Sequence, residues 1–186
     1  MIFVRQLPPD DLPSSLNADK SLIGEQLMIR ITRLGFSLQY VPRQTAVWGN
    51  YPMSRRAENA LSLTSSALFG AFEGDEIIGQ AIVTEKDGFW ADILDLRVDV
   101  SHRRIGAGRL LLDACQTWGL THACRGLSVT ATDDNPVLCQ FLEHQAFHLE
   151  GMDRFALALT DSERDKPLAQ RKCQLFFYRP FQDDSI

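Results

Sequence analysis

The stretch from Asp95 to Leu110 places a basic segment and two glycines between a predicted strand and a predicted helix. The N-terminus of a helix presents backbone N–H groups without intrahelical partners and the positive end of the helix dipole, so it attracts anions. Gly106 and Gly108 carry no Cβ atom that would keep a bulky anion from the backbone. The positive charge in this stretch comes from Arg103, Arg104 and Arg109. The pattern predicts a site for a phosphate-bearing ligand.

The spacing of these residues narrows the kind of ligand. A P-loop requires G-x-x-x-x-G-K-[ST], which is absent, and in a dinucleotide fingerprint the third glycine would fall on Leu111. What remains is R-x-x-G-x-G, in the residues Arg103-Arg104-Ile105-Gly106-Ala107-Gly108. This segment resembles the [QR]-x-x-G-x-[GA] pyrophosphate loop of the GNAT superfamily, the acyl-CoA-dependent N-acetyltransferases. Taken without its context, a helix that begins after two glycines would give the same pattern.

The surroundings of the motif extend the resemblance. Val98 occupies the place of the superfamily's recurrent valine at the end of the strand, and a strand and a second helix follow the motif. The second helix is similar to the superfamily segment N-x-x-A-x-x-x-Y-x-x-x-G-F. Asn135 and Phe147 match that segment, whereas its Ala, Tyr and Gly are replaced by Leu138, Leu142 and Ala146.

The resemblance implies an enzyme that uses acetyl-CoA as co-substrate and requires no metal. An amine would attack the thioester carbonyl directly, and the thiolate would leave. By position in the motifs, the residues implied in cofactor binding are Leu96, Arg97, Val98, Arg103, Arg104, Ile105, Gly106, Ala107, Gly108, Arg109 and Asn135. The backbone near Leu96 to Val98 is where the resemblance places the donor to the oxyanion.

Asp95 is the candidate catalytic residue, which would receive the proton of the amine or hold the ammonium, directly or through water. A solvated or salt-bridged carboxylate is the alternative for this residue. Asp92 lies three residues earlier and would point to the other side of a regular strand, unless a bulge changes the parity. Leu142 cannot donate a proton to the departing thiolate, as the superfamily's Tyr does. Cys139 could serve instead, or it is a packed core thiol.

Narrower resemblances indicate the acceptor. The segment from Asp95 to Gly106 is similar to aminoglycoside 3-N-acetyltransferases, and the segment from Phe147 to Phe155 is similar to streptothricin acetyltransferases. Both imply a small amino-bearing antibiotic or a polyamine. Two alternatives stay open: a catalytically weak acyl-CoA-binding or regulatory module, because of Leu142, and a protein N-acetyltransferase.

Periodicity predicts the order of the elements. Strands are predicted at 2–6, 68–72, 76–83, 89–100, 126–132, 148–157 and 172–179, with helices at 17–34, 106–123 and 135–146. Residues 37–62 are interpreted as a long, partly helical connection. The fold class is therefore α/β, with a mixed sheet covered by helices. The resemblance implies in addition that this sheet is mostly antiparallel, has six to seven strands, is splayed in the middle and carries helices on both faces.

Composition limits the class of protein to which this chain can belong. The 186 residues predict one domain over 1–186; they are 45% apolar and 23% charged, as in an ordinary soluble protein. A net charge of −5 argues against nucleic acid and mildly favours a cationic small molecule. No membrane span or signal peptide is recognised, so a cytoplasmic protein is expected; a homodimer is left open. The four cysteines form no C-x-x-C pair and are expected to be reduced.

Overall fold

The computed structural model describes residues 1–13, 16–155, 166–167 and 171–181. The described strands are β1 (Ile2–Leu7), β2 (Lys20–Thr32), β3 (Gly35–Asn50), β4 (Ser66–Glu73), β5 (Glu76–Lys86), β6 (Trp90–Val98), β7 (Gly126–Thr132), β8 (His148–Asp153) and β9 (Gln174–Pro180). The described helices are α1 (Arg55–Ala60), α2 (Ala107–Thr121) and α3 (Pro136–His144). Seven strands form one sheet in the order β1-β4-β5-β6-β7-β9-β8, and β2 pairs with β3 in a separate two-stranded sheet. The predicted mixed, mostly antiparallel sheet is thus confirmed.

The chain divides into two compact units. The first unit contains the described residues of 1–21 and 50–128, with 180 and 181; the second contains those of 22–49 and 129–179. In the first unit, α1 covers one face of the strands in an apolar cluster that includes Ala57, Leu68 and Ile82. Gly79 faces Leu111 of α2, and it lies an odd number of residues from Ile82 in the same strand. Since side chains alternate along a strand, α1 and α2 cover opposite faces, as predicted.

The helix predicted at 17–34 is wrong, because this stretch forms β2. The apolar residues Ile23, Leu27 and Ile31 are spaced by four, and this spacing puts side chains on one side of a strand as well as of a helix. Burial between Ser21 and Arg30 alternates residue by residue, which is typical of a strand. The period of two in burial, and not the spacing of apolar residues by four, distinguishes this strand from a helix.

The interpretation of residues 37–62 as a partly helical connection is correct only for the short α1. Most of this stretch is β3, which pairs with β2 as the second strand of an antiparallel hairpin. Its middle residues, 43–48, are exposed, so they show no apolar period from which a strand could be predicted. The other predicted elements appear with shifted ends; of the strand predicted at 148–157, residues 156 and 157 lie outside the described residues.

Gly79 lies where β5 and β6 come close together, opposite Val98. A Cβ atom at this position would come within 2.9 Å of the backbone oxygen of Arg97. We therefore expect Gly79→Ala to lower the free energy of unfolding by about 1–3 kcal/mol, measured by urea denaturation. Gly24→Ala is the matched control, because a Cβ atom there meets nothing within 4 Å. Equal stability of the two variants would contradict this close approach.

Candidate functional site

A β-bulge in β6 shapes the candidate site. Neighbouring residues of β5 pair with Asp95 and then with Ile93, so Leu94 is an extra residue in β6. Asp92 and Asp95 consequently lie opposite two β5 residues that are two positions apart and share one face. The bulge changes the parity, and both carboxylates are on the side of the sheet that α1 covers. Both are buried, with 1% of Asp92 and 8% of Asp95 exposed.

Asp95 accepts hydrogen bonds from two neighbours in the first unit. Arg97 donates from Nε at 2.9 and 3.0 Å and from Nη2 at 2.6 Å, and Gln80 donates from Nε2 to Oδ2 at 2.8 Å. Arg97 also donates from Nη1 to Asp19 Oδ1 at 2.5 Å. The result is a cluster of two carboxylates and one guanidinium, whose formal charge is −1. Asp95 is thus a buried, salt-bridged carboxylate, and its catalytic role stays a prediction.

Gln80, which donates to Asp95 of this cluster, has an incomplete set of hydrogen bonds. It is 2% exposed, and its Nε2 must face Asp95 because only an N–H group can donate to a carboxylate. Among the described residues, its Oε1 is buried without a hydrogen-bond partner. A buried acceptor of this kind favours a donor that is not part of the protein, such as a water molecule or a ligand N–H group.

Asp92 has its own partners. Ser128 Oγ donates to its Oδ1 at 2.6 Å, and Arg56 Nη2 donates to its Oδ2 at 2.8 Å. The Arg56 side chain is 61% exposed, whereas the Asp92 side chain is only 1% exposed. This arrangement ties α1, β6 and the start of β7 together, and it gives Asp92 a structural role that needs no substrate.

The loop between β6 and α2 has the form of an anion site. Arg104 (φ 66°) and Gly106 (φ 98°) both adopt the left-handed conformation, and an L side chain at Gly106 would be strained there. A Cβ atom on Gly106 would meet open space, so the outer side of the turn is accessible. Within the described residues, the first backbone N–H of α2 bonded to a carbonyl is that of Leu110, which donates to Gly106 O at 3.1 Å. The amides of the first turn of α2 therefore have no helical acceptor.

The three arginines predicted to bind phosphate are not equivalent. Arg104 and Arg109 are exposed beside the turn, and Arg109 makes a 3.8 Å ion pair with Asp113. Arg103 is half-buried, and its guanidinium is occupied by protein oxygens, including Val98 O at 3.1 Å and Ser21 Oγ at 2.8 Å. Burial lowers the pKa of Arg103. The part of Arg103 in cofactor binding stays a prediction. The contacts named here involve its side chain and not its backbone N–H group.

The other residues implied in cofactor binding lie in both units. Leu96 and Val98 are half-buried in β6, Ile105 is 48% exposed in the turn, and Ala107 is buried at the start of α2. Asn135 caps α3, because its Oδ1 accepts a hydrogen bond from Leu138 N at 3.1 Å. Their contacts with a cofactor stay predictions.

In the second unit, α3 carries the departures from the superfamily segment. Leu142 and Cys139 are completely buried. Burial, and secondly the charge of Glu143, raise the pKa of the Cys139 thiol to about 12. Tyr40 of β3 donates to Glu143 Oε2 at 2.6 Å, and burial together with this bond raises the pKa of Tyr40 far above its usual range. The sequence analysis missed Tyr40, because nothing in residues 37–62 indicated a strand facing α3.

All four cysteines are buried and none of them forms a disulfide, which agrees with the expected reduced thiols. We expect the native protein to react with Ellman's reagent at essentially none of them in mildly alkaline buffer, because burial suppresses access of the reagent to all four side chains. After denaturation all four should react. Rapid reaction of Cys139 in the native protein, located by peptide mapping, would contradict the burial of α3.

The described parts of the chain contain neither a candidate metal site nor a candidate membrane-spanning helix. No group of three or more His, Cys, Asp or Glu side chains there could hold a metal ion. No helix there combines the length and the apolar content needed to cross a bilayer.

Comparisons with known proteins agree with the fold. The sequence pattern of the Acetyltransferase (GNAT) family matches residues 34–147, more than half of the chain. Over 116 residues the chain is 23% identical to a streptothricin acetyltransferase of Escherichia coli. This alignment covers 61% of the chain but only 62% of that relative, which is less than two thirds of its length.

Solved structures extend the similarity of the fold to nearly the whole chain. A Bacillus anthracis protein assigned as a streptothricin acetyltransferase, in complex with acetyl coenzyme A, has a TM-score of 0.80 at 18% identity, covering 97% of this chain and 100% of that one. Nourseothricin acetyltransferase has a TM-score of 0.74 at 19% identity, covering 96% and 98%. The ribosomal-protein-S18-alanine N-acetyltransferase of Escherichia coli has a TM-score of 0.63 at 15% identity, covering 100% and 99%. On the match over residues 34–147, this chain belongs to the GNAT family of acetyltransferases.

Proposed function

We propose that this protein is an N-acetyltransferase, which moves an acetyl group from acetyl-CoA to a primary amine of a small molecule. The observation that carries the proposal is the turn before α2, with its left-handed Gly106 and its unpaired first-turn amides. A diphosphate fits this turn chemically, because it accepts several N–H hydrogen bonds and is attracted by the helix dipole. The exposed Arg104 and Arg109 add positive charge in a chain with a net charge of −5.

Besides holding the diphosphate, the protein must meet two demands of the reaction. The amine nitrogen attacks the thioester carbonyl carbon, the C–S bond breaks, and the amine proton leaves as the thiolate is protonated. A fixed donor must stabilise the oxyanion of the tetrahedral intermediate, for which we propose the backbone of Leu96 to Val98 beside the bulge. The acceptor must also lose a proton, since a primary amine has a Lys-like pKa of about 10.4.

Asp95 is the group that we propose for the amine. Its cluster with Asp19 and Arg97 has a formal charge of −1, which favours an ammonium ion over a neutral or anionic acceptor. Both oxygens of Asp95 accept N–H groups of the protein, so we propose that it acts on the amine through a water molecule. The unpartnered Oε1 of Gln80 offers an acceptor beside it.

Leu142 bears on how the thiolate leaves. A thiol with a pKa of about 8.5 is a tolerable leaving group near neutrality, so water can supply the proton. Cys139 is an unsuitable donor despite its protonated thiol, because it is completely buried. The absence of a side-chain acid at this position is nevertheless the specific observation that favours the second candidate, a weakly catalytic acyl-CoA-binding module.

The relatives support a proposal for the acceptor class. Because the relatives include streptothricin and nourseothricin acetyltransferases, we propose an amino-bearing antibiotic or a polyamine. The test is release of CoA thiol from acetyl-CoA with streptothricin, an aminoglycoside, spermidine and a peptide with a free N-terminal amine. Release with a small amine well above hydrolysis in buffer is expected. Binding of acetyl-CoA without release would favour the binding module, and release with the peptide alone would favour a protein acetyltransferase. A single domain, a cytoplasmic location and a homodimer stay predictions.

A further inference from the structure

Residues 17–21, which lead into β2, are fastened to the stretch that connects β6 to α2. Val100 N donates a hydrogen bond to Asn17 O at 3.1 Å, and Asn17 N donates to the side-chain Oδ2 of Asp99 at 3.0 Å. These residues are more than eighty positions apart in the chain, and all of them belong to the first unit.

Arg103 supplies most of the side-chain contacts at this junction. Its Nη1 donates to Ser21 Oγ at 2.8 Å, and its Nη2 donates to Ala18 O at 3.1 Å and to Lys20 O at 3.0 Å. Its Nε donates to Val98 O at 3.1 Å, at the end of β6. A planar guanidinium with donors on two edges can hold a backbone segment in this way, whereas a lysine ammonium cannot.

The middle of the same segment reaches the candidate catalytic cluster. Asp19 pairs with Arg97 at 2.5 Å, and Arg97 in turn donates three contacts to Asp95. A continuous series of contacts therefore runs from Arg103 through residues 17–21 to Asp19, Arg97 and Asp95.

We propose that Arg103 is a positioning residue for the acetyl-transfer step, which acts through residues 17–21 and Asp19 on the orientation of Arg97 and Asp95. It thus does not hold the diphosphate with its side chain, although it occupies the first position of the motif. This inference rests on the proposed function. It predicts that substitution of Arg103 lowers the turnover number and not the affinity for acetyl-CoA.

The first test compares Arg103→Met with Arg104→Met, because Met keeps the apolar stem and removes the donors. We expect Arg103→Met to lower kcat by roughly 10- to 100-fold, since small misplacements of catalytic groups cost this much. Its dissociation constant for acetyl-CoA, from calorimetry, should change less than that of Arg104→Met. A loss of acetyl-CoA affinity with kcat unchanged would overturn the proposal.

Asp19→Asn tests the other end of the route. Asp19 is 46% exposed, so the variant is expected to fold even where Arg103→Met does not. It should lower kcat with acetyl-CoA affinity unchanged, and the double variant should be no slower than the slower single variant, because both changes break one route. Effects on kcat that multiply would contradict the route.

A measurement without turnover separates this inference from the proposed function. The Nε–H signal of Arg97 in ¹⁵N NMR spectra and the hydrogen exchange of the Asn17 amide both report on the fastened segment. In Arg103→Met and in Asp19→Asn the Arg97 signal should shift, and in Arg103→Met the Asn17 amide should exchange faster. An unchanged Arg97 signal would refute the route of contacts, whereas a shifted Arg97 signal together with absence of transfer by the wild-type protein would refute the proposed function and leave the route in place.

Discussion

Gly108→Asp is expected to raise the dissociation constant of acetyl-CoA by about 100-fold, which corresponds to about 2.7 kcal/mol. Gly108 lies in the first turn of α2, where an aspartate places a side chain and a negative charge beside the amides that we propose for the diphosphate. The fold should not suffer, because a negative charge near a helix N-terminus is favourable. Isothermal calorimetry measures the affinity, and thermal unfolding verifies the fold.

Gly108→Asn is the matched control for the charge. Asn has nearly the size of Asp, so the difference between the two variants isolates electrostatic repulsion from steric obstruction. We expect Asn to weaken binding less than Asp, and the difference to shrink as the salt concentration rises. Affinities equal to that of the wild-type protein in both variants would contradict the assignment of the loop.

Asp95→Asn is expected to lower kcat by about 100-fold or more, because acid–base groups typically contribute this much. Acetyl-CoA affinity should stay the same, since the proposed diphosphate site is the turn before α2. A pH–rate profile with an amine acceptor measures the effect. If kcat is unchanged at every pH, Asp95 is not the group that serves the amine.

The stability of Asp95→Asn needs its own control. Asp95 belongs to a buried ion pair with Arg97, and removing one partner of such a pair can cost about 3–5 kcal/mol. In Asp95→Asn the buried guanidinium keeps only the half-exposed Asp19 of its two carboxylate partners, and the double variant Asp95→Asn/Arg97→Met, which also removes this guanidinium, should recover part of the stability without recovering turnover. Recovery of turnover in the double variant would show that the loss came from misfolding and not from chemistry.

Local patterns accounted for the parts of this protein that the sequence predicted well. The turn before α2 depends on Gly106 and on the helix that follows it, both of which are visible within ten residues. Asn135 likewise precedes the helix that it caps. The hairpin of β4 and β5 was predicted from a turn between two apolar runs. Each of these features is determined by neighbours in the chain.

Features that depend on distant partners could not be predicted. The bulge at Leu94 is a matter of register between β5 and β6, and the sequence allowed only the statement that a bulge would change the parity. Asp19 lies 78 positions before Arg97, in a stretch that was interpreted as the start of a helix. The side chain of Arg103 was assigned to phosphate because the motif does not reveal that protein oxygens already occupy it.

A crystal structure with bound acetyl-CoA tests most directly whether the turn before α2 holds the diphosphate. We predict diphosphate oxygens at about 3 Å from backbone nitrogens between Arg104 and Arg109, with the Arg103 side chain still bound to residues 17–21. A diphosphate bound elsewhere, or one held by side chains while these amides bond to protein acceptors, would contradict the proposed mode of binding.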